Sequence, residues 1–353
     1  DRHLSVALRG LTLTAHGEVR EVQVERAGAG FRFAEASNSA APLHSAPAET
    51  LVLPGFSDAH VHLGLVDQGT LRGTAIGHVV DLGWDPFESL AWRHSDALRV
   101  DVAGPILTAV RGYPSDREWM PQAGVLELSS TAQAEASIAM LAERGCALIK
   151  VASNSTAGPV PSDAVLAAIV AAAHARSLQV VAHAEGAGEA MRMLSAGVDA
   201  LAHTPFSEVL DDAQLRAMAH SCAWISTLDI HGWGDDDVAF GIALANLRGF
   251  HAHGGRVRYG TDLGNGPLPI GLNAREISGL ARAGLSGTEV LGTMLDADSF
   301  AGTPVLNLLP IAALDNPSLI ADVRTITPDT ACQQDAEFGA ALGLAEHTKE
   351  QHR

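Results

Sequence analysis

The sequence predicts an α/β fold built from repeated strand–helix units. From residue 55 to about residue 300, eight short apolar runs alternate with Ala-rich stretches of helical pattern. This region is roughly 250 residues long, the typical size of a barrel of eight such units. No Gly-x-Gly-x-x-Gly loop follows an early strand, although doubly wound parallel sheets often carry one. The predicted architecture is therefore a (β/α)8 TIM barrel.

Each unit of the predicted barrel can be assigned to a segment of the chain. The eight strands are predicted at Ala59–His62, His78–Leu82, Ile106–Val110, Ala147–Val151, Gln179–His183, Ala200–His203, Ala223–Thr227 and Arg256–Gly260. Helices are predicted at Thr131–Arg144, Ser162–Arg176, Gly186–Ala196, Asp211–His220 and Asp237–His253. Ser162 precedes the first helical turn as an N-cap, and Gly197 follows its helix as a stop signal.

The two ends of the chain lack the strand–helix alternation of the central region. Residues 1–54 contain short strand-like runs at Leu4–Leu8, Val19–Val24, Gly30–Phe33 and Leu51–Leu53. Residues 301–328 hold short apolar pieces and prolines. We expect 1–54 and 301–328 to form a small composite β-sandwich domain beside a catalytic barrel domain at 55–300. Residues 329–353 are predicted to form a C-terminal helix or tail.

Composition limits the classes of partner. The chain has 41 acidic and 23 basic residues, a net charge of −18, which argues against nucleic acid and anionic membranes. Its three cysteines are far apart and form no Cys-x-x-Cys pair, as expected for reduced thiols in a cytoplasmic protein. No apolar run is long enough to span a bilayer. The chain does not begin with Met, so removal of an N-terminal segment stays open.

Two histidines one residue apart end the first predicted barrel strand. In an extended strand, residues i and i+2 point to the same side. His60 and His62 therefore present two imidazoles to one point, which is the arrangement that a metal ion requires.

Four further polar residues end later predicted strands or directly follow them: Lys150, His183, His203 and Asp262. Active sites of TIM barrels lie at the carboxyl ends of the strands, so all six candidates are expected to converge there. Imidazoles and a carboxylate can hold a divalent ion that lowers the pKa of bound water and polarises a carbonyl. Asp262 fits the group that takes the proton from water and passes it to the leaving group. The predicted chemistry is metal-assisted hydrolysis.

Lys150 is unexpected beside cations, because an ammonium group would be repelled by them. One interpretation is that Lys150 condenses with CO2 to give a carbamate, an anion that can bridge two metal ions. The other is an ordinary ion pair with a nearby acid. A second His-x-His, His251-Ala-His253, closes a predicted helix at the opposite end of the barrel and is not expected to bind a catalytic metal.

Loops after the strands supply candidates for substrate contacts. His231 and Tyr113 are the leading candidates for donating a hydrogen bond to a carbonyl oxygen or developing oxyanion. Arg111 or Arg117 could clamp a carboxylate. The remaining predicted substrate contacts are Trp84, Asn154, Trp233 and Asn265.

These motifs resemble the metal-dependent amidohydrolase superfamily. Pro54-Gly55-Phe56-Ser57-Asp58-Ala59-His60-Val61-His62 is similar to its opening signature, and Gly260-Thr261-Asp262 is similar to its closing one. The segment from His183 to Gly197-Val198-Asp199-Ala200-Leu201-Ala202-His203 resembles the prolidase and imidazolonepropionase-related branch. The resemblance implies a binuclear site, usually of zinc. One ion would take His60, His62 and Asp262, and the other His183 and His203, with carboxylated Lys150 as the bridge.

The expected function is hydrolysis of an amide C–N bond in a small molecule by a metal-bound hydroxide. Candidate substrates are a dipeptide, an N-acyl amino acid or a cyclic amide. Alternatives are a mononuclear deaminase or imidazolonepropionase-like hydrolase, and a lactone or phosphotriester hydrolase. Deaminases of the superfamily generally place Glu three residues after the strand-5 histidine, where this chain has Gly186. A non-enzymatic alternative is a silent, metal-stabilised scaffold. A homo-oligomer is compatible with the resemblance.

Overall fold

Strands and helices alternate through the middle of the chain. The computed structural model describes residues 7–36 and 44–328 of the 353-residue chain. The strands in these ranges are β1 Ala7–Leu13, β2 Val19–Ala27, β3 Gly30–Glu35, β4 His44–Ser45, β5 Thr50–Pro54, β6 Phe56–Val61, β7 Ile76–Asp81, β8 Arg99–Val102, β9 Ile106–Ala109, β10 Val125–Leu128, β11 Leu148–Asn154, β12 Gln179–Glu185, β13 Ala200–Leu201, β14 Ala223–Ile225, β15 Arg256–Arg258, β16 Leu306–Pro310 and β17 Arg324–Ile326.

The helices begin and end largely where capping residues predict. The α-helices are α1 Pro86–Trp92, α2 Thr131–Arg144, α3 Asp163–His174, α4 Glu189–Ala196, α5 Asp212–Ser221, α6 Val238–Ala252, α7 Ala274–Arg282, α8 Gly287–Met294 and α9 Ala297–Ala301. Short 3-10 helices lie at Leu63–Leu65, Gln68–Leu71, Gln122–Gly124, Leu228–Ile230, Ile311–Leu314 and Pro317–Asp322. The Ser162 hydroxyl accepts a hydrogen bond from Val165 N–H, and Gly197 ends α4 in the left-handed conformation. Both predicted caps are confirmed.

Two parallel sheets carry the central region. One has the order β6-β7-β8, and the other has the order β10-β9-β11-β12-β13-β14-β15. The central strands are buried on both faces, and β6 and β11 are buried along their whole lengths. The helices cover the sheets from outside, and the ring of Phe250 on α6 stacks on that of Trp224 on β14 at 3.8 Å between centroids. The predicted α/β fold with a parallel sheet is confirmed.

Backbone hydrogen bonds also join the two parallel sheets to each other. Ala59 N–H donates to Tyr259 O at 2.9 Å, and His62 N–H donates to Leu263 O at 2.8 Å, which links β6 to the segment after β15. On the other side, Ala147 N–H, just before β11, donates to Val102 O at the end of β8 at 2.9 Å. The two sheets therefore share edges on both sides.

The third predicted strand differs from the observed structure. Residues 106–110 were expected to form one whole strand of the barrel, but β9 is only the second half of a bent segment. β8 pairs with β7, and after the turn at Ala103-Gly104-Pro105 β9 pairs with β11. The bend allows the segment formed by β8 and β9 to pair with β7 on one side and with β11 on the other. The charged residues of β8 explain why the sequence did not indicate a strand there.

The two chain ends meet in a separate mixed sheet. Its order is β17-β16-β5-β1-β2-β3, and β4 pairs with β1. Side chains of β1, β2, β3, β5, β16 and β17 form a small apolar core of their own. The prediction for Leu4–Leu8 falls partly outside the described residues, and that for 329–353 falls wholly outside them. Among the residues that the structure describes, no helix has the length and apolar character needed to cross a bilayer.

The chain passes from this mixed sheet to the parallel sheets with one residue between them. β5 ends at Pro54 and β6 begins at Phe56. The intervening Gly55 donates its N–H to the Thr303 hydroxyl at 2.9 Å. Asn307 on β16 donates its side-chain amide to Pro54 O at 3.3 Å and to Ala75 O at 2.8 Å. These buried bonds fix the direction in which β6 leaves the junction.

Candidate functional site

The carboxyl ends of the parallel strands surround a cavity of about 220 Å³. Its lining comprises His60, His62, Ile106, Tyr113, Trp119, Lys150, Ala152, His183, Glu185, His203, Phe206, Ile230, His231, Asp262 and Asn265. The structure thus brings together the six predicted metal ligands and three further predicted site residues, Tyr113, His231 and Asn265.

The paired histidines of β6 are oriented by backbone carbonyls behind them. His60 Nδ1 lies 2.8 Å from Ala202 O, and His62 Nδ1 lies 3.1 Å from Gly83 O. With the proton on Nδ1 in each ring, the Nε2 lone pairs are left for the cavity. Burial holds the pKa of His60 well below its ordinary value of 6.5, so that imidazole is neutral, as a metal ligand must be.

Asp262 lies against both imidazoles. Its Oδ1 is 3.1 Å from His60 Nε2 and 3.3 Å from His62 Nε2, and its Oδ2 accepts a hydrogen bond from Asn265 Nδ2 at 2.9 Å. Asp262 has a φ of +60°, and its N–H donates to His60 O at 2.8 Å. An acid tolerates this left-handed conformation better than most residues. The turn therefore aims the carboxylate back at the strand that carries the histidines.

A second carboxylate holds the two segments in register. Asp58 accepts hydrogen bonds from His60 N–H at 3.1 Å, Thr261 N–H at 3.0 Å and the Thr261 hydroxyl at 2.6 Å. Its burial raises its pKa to about 7, partly offset by these donors. Asp58 thus fixes where Asp262 stands relative to His60 without lining the cavity itself.

His183 and His203 come from the next strands of the sheet. His183 Nε2 lies 3.1 Å from Glu185 Oε2, which leaves Nδ1 as the nitrogen free to bind a metal. His203 Nδ1 lies 2.9 Å from the Thr227 hydroxyl, which leaves Nε2 free. Burial holds the pKa of His203 well below 6.5, so this ring is also neutral. The ring centroids of the two histidines are 4.9 Å apart.

Lys150 is buried among these groups without an ion-pair partner. Only 2% of the residue is exposed, and no acid in residues 7–36 and 44–328 lies within ion-pair distance of its Nζ. Burial lowers its pKa to about 7, despite the opposing influence of Asp262 and Asp81. At neutral pH a substantial fraction of the Lys150 side chain is therefore the uncharged amine, which is the form that can attack CO2. The ion-pair interpretation finds no support in this geometry.

The donor set fits a divalent cation. Ligand atoms of His60, His203 and Asp262 lie within 4.8 Å of one another. Buried His60 Nε2 and Asp262 Oδ1 both lack a hydrogen-bond partner of acceptable geometry, although they are only 3.1 Å apart. Unsatisfied buried polar atoms are costly, and a bound ion is the kind of partner that would satisfy both. Imidazole and carboxylate are also the ligand types that zinc and related ions accept.

Two further polar side chains face the same space. His231 Nε2 is buried without a hydrogen-bond partner, and the His231 ring lies 4.5 Å from that of Phe206. Burial lowers the pKa of His231, so the ring is neutral and can donate from one nitrogen. The Tyr113 ring lies 5.2 Å from that of His183, and burial raises the pKa of its phenol, which keeps the O–H as a donor.

The two arginines expected to clamp a carboxylate do not line the cavity. The guanidinium carbon of Arg117 lies 5.4 Å from the Tyr113 ring centroid, and Arg117 Nε is 3.4 Å from Asp116 Oδ1. Arg111 is exposed, and its backbone N–H donates to Glu127 Oε1 at 2.8 Å. Arg117 therefore contacts a lining residue without lining the cavity itself, and Arg111 is exposed outside the lining.

Three other predicted contacts are also outside the lining. Trp84 donates from Nε1 to Glu88 Oε2 at 3.0 Å, and 47% of Trp233 is exposed. Asn154 is buried behind the cavity and donates to Glu185 Oε2 at 2.7 Å, so it supports the acid that orients His183. The second His-x-His pair contacts acids of neighbouring helices instead: His251 Nε2 lies 3.5 Å from Glu289 Oε1, and His253 Nε2 lies 2.7 Å from Asp212 Oδ1.

Sequence reasoning missed most of the apolar wall. Ile106, Trp119, Phe206 and Ile230 line the cavity, and none of them belongs to a motif. Phe206 could have been identified from its position, because it comes only three residues after His203 at a strand end. Trp119 lies ten residues beyond the end of β9, so spacing alone did not single it out.

Comparisons of the sequence find distant relatives but no protein family. No protein-family profile matches the chain. An uncharacterized protein of Mycobacterium tuberculosis is 27% identical over 290 residues, which cover 72% of this chain and 76% of that protein. A relative of the same identity and coverage occurs in Mycobacterium bovis.

Several solved hydrolases have similar structures. A Xaa-Pro dipeptidase with bound methionine in its active site is similar with a TM-score of 0.71 at 16% identity, covering 91% of this chain and 98% of that one. A putative prolidase from Bifidobacterium longum gives 0.68 at 22% identity, with coverages of 88% and 91%. The ochratoxinase of A. niger gives 0.65 at 15% identity, with coverages of 89% and 92%. The resemblance to amidohydrolases that the motifs indicate is thus confirmed for the fold.

Proposed function

We propose that this protein is a metal-dependent hydrolase that cleaves an amide C–N bond in a small molecule. The observation that carries the proposal is the convergence of His60, His203 and Asp262, with two buried ligand atoms left unsatisfied. The fold supports it, because solved structures of similar fold include a Xaa-Pro dipeptidase and an ochratoxinase.

We infer that the two parallel sheets form one closed (β/α)8 barrel. The hydrogen bonds between β6 and residues 259–263, and between Ala147 and Val102, support closure on both sides. We further infer that 1–54 with 301–328 form the small β-sandwich domain and 55–300 form the catalytic domain. The separate apolar core of the mixed sheet supports that division.

The site would hold two ions, which we propose to be zinc. His60, His62 and Asp262 would bind one, His183 and His203 the other, and Lys150 as a carbamate would bridge them. When bound, the ions would supply an activated water and polarise the substrate carbonyl. The absence of an ion-pair partner for Lys150 among the described residues supports the carbamate, since the buried amine is not held by an acid and is free to react with CO2.

The chain's own residues then divide the remaining work. Asp262 would take the proton of the attacking water at a carboxylate oxygen and pass it to the leaving nitrogen, while Asn265 fixes its Oδ2. His231 and Tyr113, which line the same cavity, would donate hydrogen bonds to the substrate carbonyl. Glu185 orients His183 through its Nε2.

The deaminase alternative is disfavoured by the backbone at Gly186. Its φ is +109°, and a Cβ there would lie 2.0 Å from Ser155 Oγ. A glutamate at this position would therefore be strained by the positive φ and would require the Ser155 side chain to rotate away. Glu185 does not replace it, because it is already bound to His183 and Asn154.

Metal analysis of the purified protein tests the number of ions. We expect close to two per chain for wild type, and close to one for Lys150→Met, which keeps the length of the side chain but forms no carbamate. Mass spectrometry of the gently ionised native protein should show the added CO2 in wild type only. One ion per chain in wild type would contradict the binuclear site.

A substrate panel tests the reaction. Neutral amides, dipeptides, N-acyl amino acids, lactones, phosphotriesters and aminopurines should be compared at equal concentration. We expect hydrolysis of amides, which His60→Ala abolishes and His251→Ala leaves intact, because His251 pairs with Glu289 far from the cavity. Activity on aminopurines alone would replace this proposal with deamination.

A further inference from the structure

The cavity offers a substrate almost no positive side chain. Apart from the imidazoles, Lys150 is the one basic residue in the lining that the structure describes. The acids Asp262 and Glu185 also line it, and Glu185 is engaged by His183, Asn154 and Thr156. A substrate carboxylate that lies away from the proposed metal ions would therefore find no guanidinium in this lining to balance its charge.

Aromatic rings stand directly against the candidate ligands. The Trp119 ring is 6.0 Å from that of His62, the Tyr113 ring is 5.2 Å from that of His183, and the Phe206 ring is 6.2 Å from that of His203. Ile106 and Ile230 fill further parts of the wall. Such a wall favours flat apolar groups on both sides of a reacting bond.

The size of the cavity limits the substrate as well. Its volume of about 220 Å³ is below the ~300 Å³ at which ordinary ligand pockets begin. A small ring and an amide group fit this space more readily than an extended peptide. A buried carboxylate without a partner carries a large desolvation cost, which the apolar wall would not repay.

We propose that the site selects small, uncharged amides with an apolar or aromatic group beside the scissile bond, and discriminates against substrates with a free carboxylate. This inference rests on the proposed hydrolase function. It makes the neutral amide, rather than the dipeptide or N-acyl amino acid, the substrate class of this cavity.

A matched pair of compounds tests the inference on the metal-loaded protein. N-acetyl-2-phenylethylamine and N-acetyl-L-phenylalanine share the scissile bond and ring and differ only by the carboxylate. We expect kcat/KM to be at least tenfold higher for the neutral compound. Faster hydrolysis of the carboxylated compound would overturn the selectivity while leaving the hydrolase function intact.

Binding provides a readout that does not depend on turnover. Calorimetric titration of Asp262→Asn with the same two compounds should show at least tenfold tighter binding of the neutral one. If neither compound is hydrolysed by wild type, the proposed function fails for such amides, and the titration still decides the selectivity. Tighter binding of N-acetyl-L-phenylalanine overturns it.

A charged variant tests the physical cause. Ile230→Arg adds a guanidinium to the wall, and Ile230→Gln is the uncharged control of similar length. We expect Ile230→Arg to reduce the preference for the neutral compound at least tenfold relative to Ile230→Gln. Equal preferences in the two variants would show that the missing positive charge is not what sets selectivity.

Discussion

Asp262 combines an unusual backbone conformation with three polar neighbours. Its left-handed φ and its bond to His60 O fix the turn, and Asn265 holds one carboxylate oxygen. The other oxygen faces two imidazoles at 3.1 and 3.3 Å. The position of this carboxylate is thus set by the backbone and by one amide, rather than by the ligands it would share with a metal.

Asp262→Asn is the first prediction at this scale. The amide keeps an oxygen for the metal and tolerates the same backbone conformation, but it no longer accepts a proton. We expect retained metal and a loss of kcat of about 10²- to 10⁴-fold. Steady-state kinetics and metal analysis measure the two quantities. Wild-type turnover in this variant would remove Asp262 from the role of proton carrier.

Asn265→Ala is the companion variant. It removes only the hydrogen bond to Oδ2, so we expect a smaller decrease in kcat than for Asp262→Asn, with metal content unchanged. A loss as large as that of Asp262→Asn would mean that Asn265 contacts the substrate directly.

At the residue scale, the motifs predicted the polar side chains of the cavity far better than its apolar wall. The ligand types at strand ends are restricted by chemistry, so His60, His62 and Asp262 could be found from the sequence. Trp119 and Phe206 belong to loops whose paths depend on packing, and an aromatic residue in a loop carries no such restriction. The same holds for Arg117, whose direction only the structure reveals.

Among the elements, β6 and the segment after β15 depend on close backbone approach. A Cβ on Gly260 would lie 2.3 Å from Ile225 Cγ2 and 3.1 Å from His60 N. Any larger residue must therefore push this segment away from β6. The register that Asp58 maintains between His60 and Thr261 would be strained.

Gly260→Ala is predicted to reduce both stability and metal binding. Overpacking of this kind costs about 1–3 kcal/mol. The control is Gly241→Ala on the exposed side of α6, where a Cβ meets nothing within 4 Å. That change should stabilise by roughly 0.5–1 kcal/mol. Urea unfolding and metal titration compare the variants, and equal stabilities would contradict the steric argument.

Helix α7 carries a buried acid with a pH-dependent effect. Glu276 accepts hydrogen bonds from Leu228 N–H at 3.0 Å and Asp229 N–H at 2.8 Å, yet its burial raises its pKa from 4.5 to about 7. Between these values the folded state holds a proton that the unfolded state has lost. The contribution of this group to the unfolding free energy therefore decreases as the pH rises from 4.5 to about 7.

Glu276→Gln should remove this dependence. We expect the unfolding free energy of wild type, relative to the variant, to decrease by up to about 1.4 kcal/mol per pH unit within that window. Urea unfolding at pH 5, 6 and 7 in the presence of a chelator measures it without metal effects. Parallel pH profiles for the two proteins would show that Glu276 does not titrate in this range.

The elements themselves were partly predictable. Helix α2 has the predicted bounds because Ser130 and Gly145 cap it in the expected ways. β8 was missed because its sequence, Arg99-Val100-Asp101-Val102, is half charged, and because β9, which continues the same path, pairs with a different neighbour after a bend. Local pattern predicts a strand where apolar residues cluster, and it does not reveal pairing that depends on a turn.

For the whole molecule, the candidate ligands are drawn from distant parts of the chain. His60 belongs to β6, His183 belongs to β12, and Asp262 follows β15. Ions that bind them would join segments that separate on unfolding. Binding to the folded state alone stabilises it by about 2.7 kcal/mol when the free ion is at one hundred times its dissociation constant.

Removal of metal is therefore predicted to lower the melting temperature. Calorimetric scans of the purified protein, before and after a chelator, should differ by several degrees, and added zinc should restore the original value. A His60→Ala, His62→Ala double variant should show a much smaller response. An unchanged melting temperature in wild type after verified removal of metal would contradict a site that spans these strands.

The sequence predicted the overall organisation only in the region where strand–helix units repeat. Strand–helix alternation over 55–300 predicted the parallel sheets, because it reflects a periodic pattern. The pairing of β5 with β16 joins residues about 250 positions apart, and no local signal records it. The sequence led us to expect one composite domain from 1–54 and 301–328, but it did not indicate which strands pair within it.

The mixed sheet of the chain ends is connected to β6 through the single residue Gly55. This sheet can therefore affect the positions of the candidate ligands, although it does not line the cavity. Shortening the protein after residue 300 would leave every candidate ligand in place, but it would remove Thr303 and Asn307, which hold the junction. β6 would then lose its anchor at the end opposite to His60 and His62. The segment after residue 300 thus holds the start of β6 in position. Its removal would allow His60 and His62 to shift relative to the other candidate ligands.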